Sequence, residues 1–417
     1  MSFSRKGNKT KKKEEGAEDK QDHERAFQVL MDPEKGGLVQ DTNGVITGCS
    51  LRYCILHFCK NEEESVFFHT GHDLFTTVDE LFVIFLSIFT KIGKFEDKMK
   101  TSIARRITKF ISDYLEVNQH KFVQGSKEHE ILVHFIDELM NFGEDFNIES
   151  SWLLHKLKKI SQYHIDPPIE PKLSPRVQMK SLLDYSVCDL VEQMCLIDQD
   201  LVKQIPLNMF LKTRWKQSIH ITKFTEHYNK ISDWTSYEVA STANPKKRQK
   251  VFSHFVSIAK LLLECQNLHG MLAIVSGLMR YPVERLEKTK GGLGASFLKK
   301  YEKLLNISKP TNNFSILRAI IKDAKPPFVY PLVLIMKDIL VIEENIDSWL
   351  DTDKNHHQIM NLHKMRLIGK ALQTILKSHE VSYNFTPDKE IQQFLLNVQV
   401  VPQEQLKILS KKNIKDI

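Results

Sequence analysis

Apolar residues recur at i, i+3, i+4 and i+7 in segment after segment of this chain, and no run of strict polar–apolar alternation appears. The first period lines one face of a helix and the second would line one face of a strand. The fold class this implies is all-α. One long stretch breaks the helical pattern. Residues 165–180 (IDPPIEPKLSPRVQMK) hold four prolines. Proline lacks the amide hydrogen a helix needs and forces its predecessor towards an extended backbone. The stretch therefore reads as a linker between two helical domains, 36–164 and 181–410, with tails at 1–35 and 411–417.

A chain of 417 residues is long enough for two domains with real cores. In the first, Asp79–Phe89 is apolar on every side, the mark of a fully buried helix. Thr76 and Thr77 offer capping hydroxyls just before the first-turn carboxylates Asp79 and Glu80. Further helices are expected over Ile103–Leu115, Glu130–Asn141 and Ser151–Tyr163. In the second domain the pattern predicts helices over Leu182–Asp198, Lys247–Gln266, Leu272–Met279, Gly294–Leu305, Ile316–Ala324, Leu332–Glu344 and Lys364–His379, divided by turns bearing Pro or Asn.

Residues 1–35 are rich in Lys, Glu, Asp and Gly and poor in aromatics, so they are expected to stay disordered. Their basic character would give at most a weak attraction to anionic lipid. The start, MSFSRKGNKTKKKEEG, has no apolar core and is not a signal peptide. The apolar runs Leu81–Phe89 and Val329–Ile342 are respectively too short to span a bilayer and interrupted by Lys337 and Asp338. A soluble, cytoplasmic protein is expected. The net charge of +7 is mild and mixed in sign, so nucleic acid is not an expected partner.

Enzyme motifs fail on spacing. The six cysteines include no C-x-x-C pair and are expected to be buried reduced thiols, not metal ligands. His129 and His134 are five apart, which turns them about 140° away from one another on a helix, so they cannot share a zinc ion. His356, His357 and His363 are scattered near a loop. Lys290–Gly294 (KGGLG) lacks the closing Gly-Lys-Ser/Thr of a phosphate loop. No nucleophile elbow is present either. No cofactor, metal site or covalent catalysis is expected.

The second half nonetheless carries a series of ordered blocks. Leu190–Met209 (LVEQMCLIDQDLVKQIPLNM) is followed by Trp234 with Glu238, then Lys247-Arg248 through Lys260. Asn267–Leu278 (NLHGMLAIVSGL), Pro282–Leu286 (PVERL), Asn313-Phe314 with Arg318, and Lys325–Pro327 come next. Lys337–Leu340 with Glu343-Glu344, and Asn361–Arg366, complete the series. In order and spacing these resemble the catalytic domain of Ras-family guanine nucleotide exchange factors. Phe75–Leu81 (FTTVDEL) resembles the helical Ras exchanger motif that precedes that domain in the family. Together the two resemblances cover the chain from about Gly37 to Leu409.

The resemblance implies two helical domains, an exchanger motif packed on a larger catalytic domain with a protruding helical hairpin. It implies catalysed release of GDP from a Ras-like small GTPase, bound preferentially in its nucleotide-free state, with no covalent chemistry. The hairpin stretch is Pro327–Asn345, in which Leu340 and Glu344 fall at i and i+4 on one helix face. By resemblance Leu340 occludes the magnesium and phosphate region, while Glu344 accepts the hydrogen bond of the GTPase hydroxyl that otherwise holds magnesium. Asn313, Phe314, Arg366, Met279 and Glu226 occupy positions that would meet the GTPase. Arg285 and Glu238 are expected to be ion-paired scaffold.

The sequence also departs from the family pattern. Met279-Arg280-Tyr281 stands where a polar contact is usual, Glu226-His227 where a basic residue is usual, Asn345 in place of a glycine and Leu367 in place of a lysine. Two rival readings follow: a GTPase-docking module of the same fold that does not open its partner, and a lipid-binding helical protein driven by the basic tail.

Overall fold

A computed structural model of the chain describes residues 25, 27–31, 38–162, 181–350 and 358–415. The expected linker 165–180, most of the tail 1–35, His356 and His357, and residues 416–417 lie outside them. Two compact units are present. One comprises Met1–Ile165, Pro206–Lys212 and Asp338–Gln373; the other comprises Asp166–Ile205, Thr213–Lys337 and Thr374–Ile417.

The first unit is helical around an aromatic core. Its helices are Leu51–Lys60, Ser65–Gly71, Val78–Ile92, Asp97–Val117, Lys127–Asn141 and Asn147–Ile160. Val78–Ile92 starts at a complete capping box: the Thr77 hydroxyl accepts from the Glu80 amide at 3.3 Å, and Glu80 Oε2 accepts from the Thr77 amide at 3.2 Å. From this helix Phe82 meets Phe135 and Tyr114 edge-on, Phe85 meets Phe110 and Phe89 meets Phe135 and Phe146, the geometry that ring quadrupoles favour. The helix is not fully buried, because Val83 on its outer face is 68% exposed. Apolar composition on every side identified the buried stripe but not this open one.

The unit also holds an antiparallel sheet of four short strands in the order β1-β2-β4-β3: β1 (Val39–Gln40), β2 (Ile46–Cys49), β3 (Trp349–Leu350) and β4 (Ile359–Asn361). Strands of two to four residues are too short to register as alternation, which is why an all-helical pattern was expected here. Gly48 makes the pairing possible. A Cβ there would lie 2.4 Å from Leu350 Cδ1 and 2.9 Å from Ile359 Cγ2.

The division of the chain thus differs from the one expected at the prolines. Asp338–Gln373 belongs by its contacts to the N-terminal unit. Gly369 abuts Phe67, whose Cα would be 2.7 Å from an added Cβ. Trp349 packs edge-on against Phe75. The expected N-terminal tail also carries structure, since residues 27–31 are helical and Phe27, Leu30 and Met31 are buried at the i, i+3, i+4 spacing.

The second unit is built round Leu268–Met279, a helix buried at almost every position between Ile219–Ser241 and Pro245–Glu264. Val187–Lys203, Ala295–Ser308, Ser315–Asp323, Lys389–Leu396 and Gln403–Lys415 complete it. Most starts are capped as their sequences require: Ser186, Ser218, Asn244 ahead of Pro245, Asn267 and Asp388 all accept amide hydrogen bonds. The last helix covers residues expected to be tail. Asn413 anchors it, donating to Ala240 O at 2.6 Å.

Two buried polar knots tie this unit together. Asn267 Nδ2 donates to Asp198 Oδ2 at 2.7 Å, and its Oδ1 accepts the Gly270 amide at 2.8 Å, while His227 Nε2 lies 3.2 Å from the other Asp198 oxygen. Burial raises the Asp198 pKa, but the hydrogen bond and charge of His227, with His269 and Asn267, outweigh it and hold the carboxyl below its usual range. Arg248 is 1% exposed; its guanidinium donates to Thr289 Oγ1 at 2.9 Å and to Thr242 O at 2.8 Å. Glu238 accepts the Trp234 indole N–H at 3.2 Å, and Arg285 stands 5.3 Å from the centre of the Tyr281 ring, so neither is placed by the ion pair expected for it. All six cysteines are free thiols; Cys188, however, is exposed and Cys265 half-buried, in contrast to the burial expected.

Candidate functional site

Helix Leu332–Asn345 begins after the Pro326-Pro327 turn, where two prolines exclude a helix. Leu332, Leu334, Ile335 and Ile339 face the interior and are buried. The opposite face is open: Val333 is 54% and Val341 49% exposed, and Lys337 and Glu344 are exposed beside them. Leu340, one helix position beyond the buried Ile339, is half-buried at the edge of this face. The expected pair Leu340 and Glu344 therefore does share a helix face, with Val341 as an apolar neighbour that spacing alone did not single out.

The two adjacent glutamates have different surroundings. Glu343 Oε1 accepts the backbone N–H of Lys212 at 2.7 Å, within the first unit. Lys212 has a φ of 52°, a left-handed conformation uncommon outside glycine. Glu344 is exposed and has no partner among the described residues. Asn345, in the place of a glycine, donates from Nδ2 to Val341 O at 2.8 Å, one turn back in the same helix.

Behind the helix end lies a polar brace. Asn361 Nδ2 donates to Asp347 O at 2.8 Å. Lys364 is 4% exposed, and its Nζ donates to Ser348 Oγ at 3.0 Å and to Glu343 O at 3.4 Å; burial lowers its pKa. Arg366 follows on the next helix, Leu362–Glu380. Its Nη1 donates to Ile46 O at 2.6 Å on β2, and its Nη2 lies 3.2 Å from Glu64 Oε2. The guanidinium is thus committed inside the first unit.

The second unit places the other candidates. Asn312, Asn313 and Phe314 are consecutive left-handed residues, with φ of 49°, 55° and 59°. Arg318 Nε donates to Asn313 O at 2.8 Å, and Lys337 Nζ donates to Asn313 Oδ1 at 2.9 Å. The same ammonium stands 5.9 Å from the Phe314 ring centre, within the range of a cation–π contact. Asn313, Phe314 and Lys337 therefore form one constellation, in which the lysine was not foreseen; its position three residues before Leu340 was the available signal. Met279 is 44% exposed at the end of its helix, and Glu226 is exposed on Ile219–Ser241. No described contact joins those two. Arg280, next to Met279, is paired with Asp233.

Among the described residues no three or more His, Cys, Asp or Glu side chains converge as a metal site requires. No described helix is long and apolar enough to cross a membrane.

The RasGEF domain family model matches residues 189–366, a stretch that includes Asp198, Asn267, Asn313, Lys337, Leu340, Glu344 and Arg366. The chain is similar to Ras guanine nucleotide exchange factor M of Dictyostelium discoideum, 26% identical over 248 residues, covering 57% of this chain and 26% of that protein. It is 28% identical over 204 residues to Rap guanine nucleotide exchange factor 6 of Homo sapiens, covering 47% of this chain and 12% of the other. Ras guanine nucleotide exchange factor H of Dictyostelium discoideum is 24% identical over 345 residues, covering 80% of this chain and 54% of its own length. The chain thus spans about half or less of the length of these relatives. The last alignment is longer than the domain match, so the likeness extends beyond residues 189–366. The expected sequence blocks, from Leu190 to Arg366, fall within the stretch that the RasGEF domain family model matches.

Proposed function

We propose that this chain is a guanine nucleotide exchange factor acting in the cytoplasm on a Ras-like small GTPase, and that Leu340 and Glu344 are its wedge. A GTPase holds its nucleotide through backbone amides and a lysine around the phosphates, and through a magnesium ion bound to a switch hydroxyl. An exchange factor exchanges those contacts for its own. It accelerates release only if it binds the open, nucleotide-free state more tightly than the loaded one; equal affinity for both would shift nothing. No bond is made or broken, so the chain acts as an exchange catalyst without covalent chemistry.

The observation that carries this reading is the unequal environment of the acidic pair. Glu343 is occupied by the Lys212 amide, whereas Glu344 is exposed and, among the described residues, unpartnered on the face it shares with Leu340 and Val341. A carboxylate held on a firm helix beside apolar side chains suits the task of accepting a switch hydroxyl while excluding water from the magnesium position. Asn313, Phe314, Met279 and Glu226 would meet the GTPase as exposed or half-buried groups of the second unit. Arg366 would act as a positioning residue, since its guanidinium is engaged by Ile46 O and Glu64.

The test is release of fluorescent GDP from a panel of Ras-, Rap- and Ral-like GTPases. Acceleration on at least one is expected. Glu344→Ala is expected to slow it roughly ten- to a hundredfold, the worth of one charge-assisted hydrogen bond, and Leu340→Ala to slow it as well. Binding without acceleration would instead favour a docking module.

A further inference from the structure

Lys337 is the cation that helix Leu332–Asn345 carries on its open face, and the exchange reading gives it no role. It lies three residues before Leu340, four before Val341 and seven before Glu344, so helical spacing places it in line with them. A lysine at such a position is ordinarily a free-swinging, fully hydrated charge. This one is held. Its Nζ donates to Asn313 Oδ1 at 2.9 Å and stands 5.9 Å from the Phe314 ring centre.

The turn that holds it is itself unusual. Three consecutive non-glycine residues, Asn312, Asn313 and Phe314, are left-handed. Such conformations cost free energy, most of all for a bulky residue, and persist only where the surroundings over-determine them. Arg318 secures the turn through Asn313 O and Lys337 through Asn313 Oδ1. What the arrangement yields is an ammonium with a restricted set of positions, exposed on the surface beside an exposed asparagine and a half-buried phenylalanine.

An ammonium has three N–H donors. Asn313 takes one, and the aromatic ring attracts the charge without using a donor. Among the described residues nothing takes the other two, which leaves them for a partner. A cation covered by an apolar or neutral surface would lose hydration without compensation. A carboxylate supplies both the charge and the acceptor lone pairs, and a lysine already restrained loses less freedom in meeting it.

We propose that Lys337, held by Asn313 and Phe314, is a partner-selecting residue that recognises a carboxylate on the GTPase. The inference rests on the reading that this face meets a Ras-like GTPase. It specifies what that GTPase must present.

The experiment measures binding of the full chain to nucleotide-free GTPases of the panel at low and high salt, with GDP release followed separately. Without nucleotide present, no phosphate can stand in for the carboxylate. Lys337→Met is expected to weaken binding about tenfold at low salt, with the difference shrinking as salt screens the wild-type pair. Lys337→Glu is expected to weaken it further. One GTPase variant with a single switch-region Asp or Glu changed to Lys is expected to restore binding to K337E. The proposal is overturned if K337M binds as the wild type does at all salt concentrations, or if no charge-reversed GTPase rescues K337E. A wild type that binds but does not accelerate release sinks the exchange reading alone, and the K337M comparison still decides this one. Binding to no member of the panel overturns both.

Discussion

Glu343 and Glu344 are chemically identical neighbours turned about 100° from one another round a helix, and that turn separates their tasks. Glu343 needs only an oxygen to accept the Lys212 amide; in the proposed function Glu344 needs its charge. Glu343→Gln is therefore expected to keep exchange near the wild-type rate, because the amide oxygen still accepts. Glu343→Ala is expected to slow exchange several-fold, since it leaves the left-handed Lys212 amide without that acceptor and loosens the helix end that presents Glu344. Glu344→Gln should already be slow. Rates of GDP release for the three variants check this, and a wild-type rate for Glu343→Ala would show that the clamp does not position the helix. The resemblance to exchange factors singled out Leu340 and Glu344, and helical spacing, being local, put the two on one face. The sequence could not tell which glutamate is tied, since the Lys212 amide comes from a position 131 residues away. The surroundings of Arg366 were hidden for the same reason: its partners Ile46 and Glu64 lie 320 and 302 residues back in the chain.

At the scale of elements, what was legible depended on length. Long amphipathic helices and their caps were evident, and the Thr77–Glu80 capping box is present as its residues require. Close helix packing was not. Gly277 is the point where Leu268–Met279 meets Ile219–Ser241: a Cβ there would lie 2.5 Å from Ser232 O and 2.6 Å from Thr235 Cβ, and Ser236 Oγ donates to Gly277 O at 2.7 Å. One of the contacted atoms is backbone, so no rotamer change relieves it. Gly277→Ala is expected to destabilise the protein by about 1–3 kcal/mol, the usual cost of overpacking, although alanine is the better helix former. A lowered urea midpoint would show it, and a raised one would mean that the helices separate at little cost. The small sheet was missed altogether. Its strands have two to four residues each, too few for a period, and they exist because β2 pairs with β4 from far along the chain.

Across the whole molecule, burial sets the response to acid. Burial lowers His69 to about 3 and His120, His269 and His379 to about 4. In the unfolded chain each titrates near 6.5. Below that value the unfolded state binds the extra protons, so each histidine contributes stability that is complete above pH ~6.5 and is lost as pH falls towards its folded value. At about 1.4 kcal/mol per pH unit per group, the unfolding midpoint in denaturant is expected to change little from pH 8 to pH 7 and to drop markedly by pH 5. An unchanged midpoint at pH 5 would mean that these rings are reached by water. By itself the sequence determined the helices, their starts, the face shared by Leu340 and Glu344 and the likeness to an exchange factor, all of which reside in spacings of a few residues or in the order of blocks along the chain. Tertiary structure alone decided that Asp338–Gln373 joins the N-terminal unit, that Glu343 is tied to the Lys212 amide, and that Lys337 is held at the Asn313 turn. Each of these is a contact between groups far apart in sequence, and only packing, not local propensity, selects its partner.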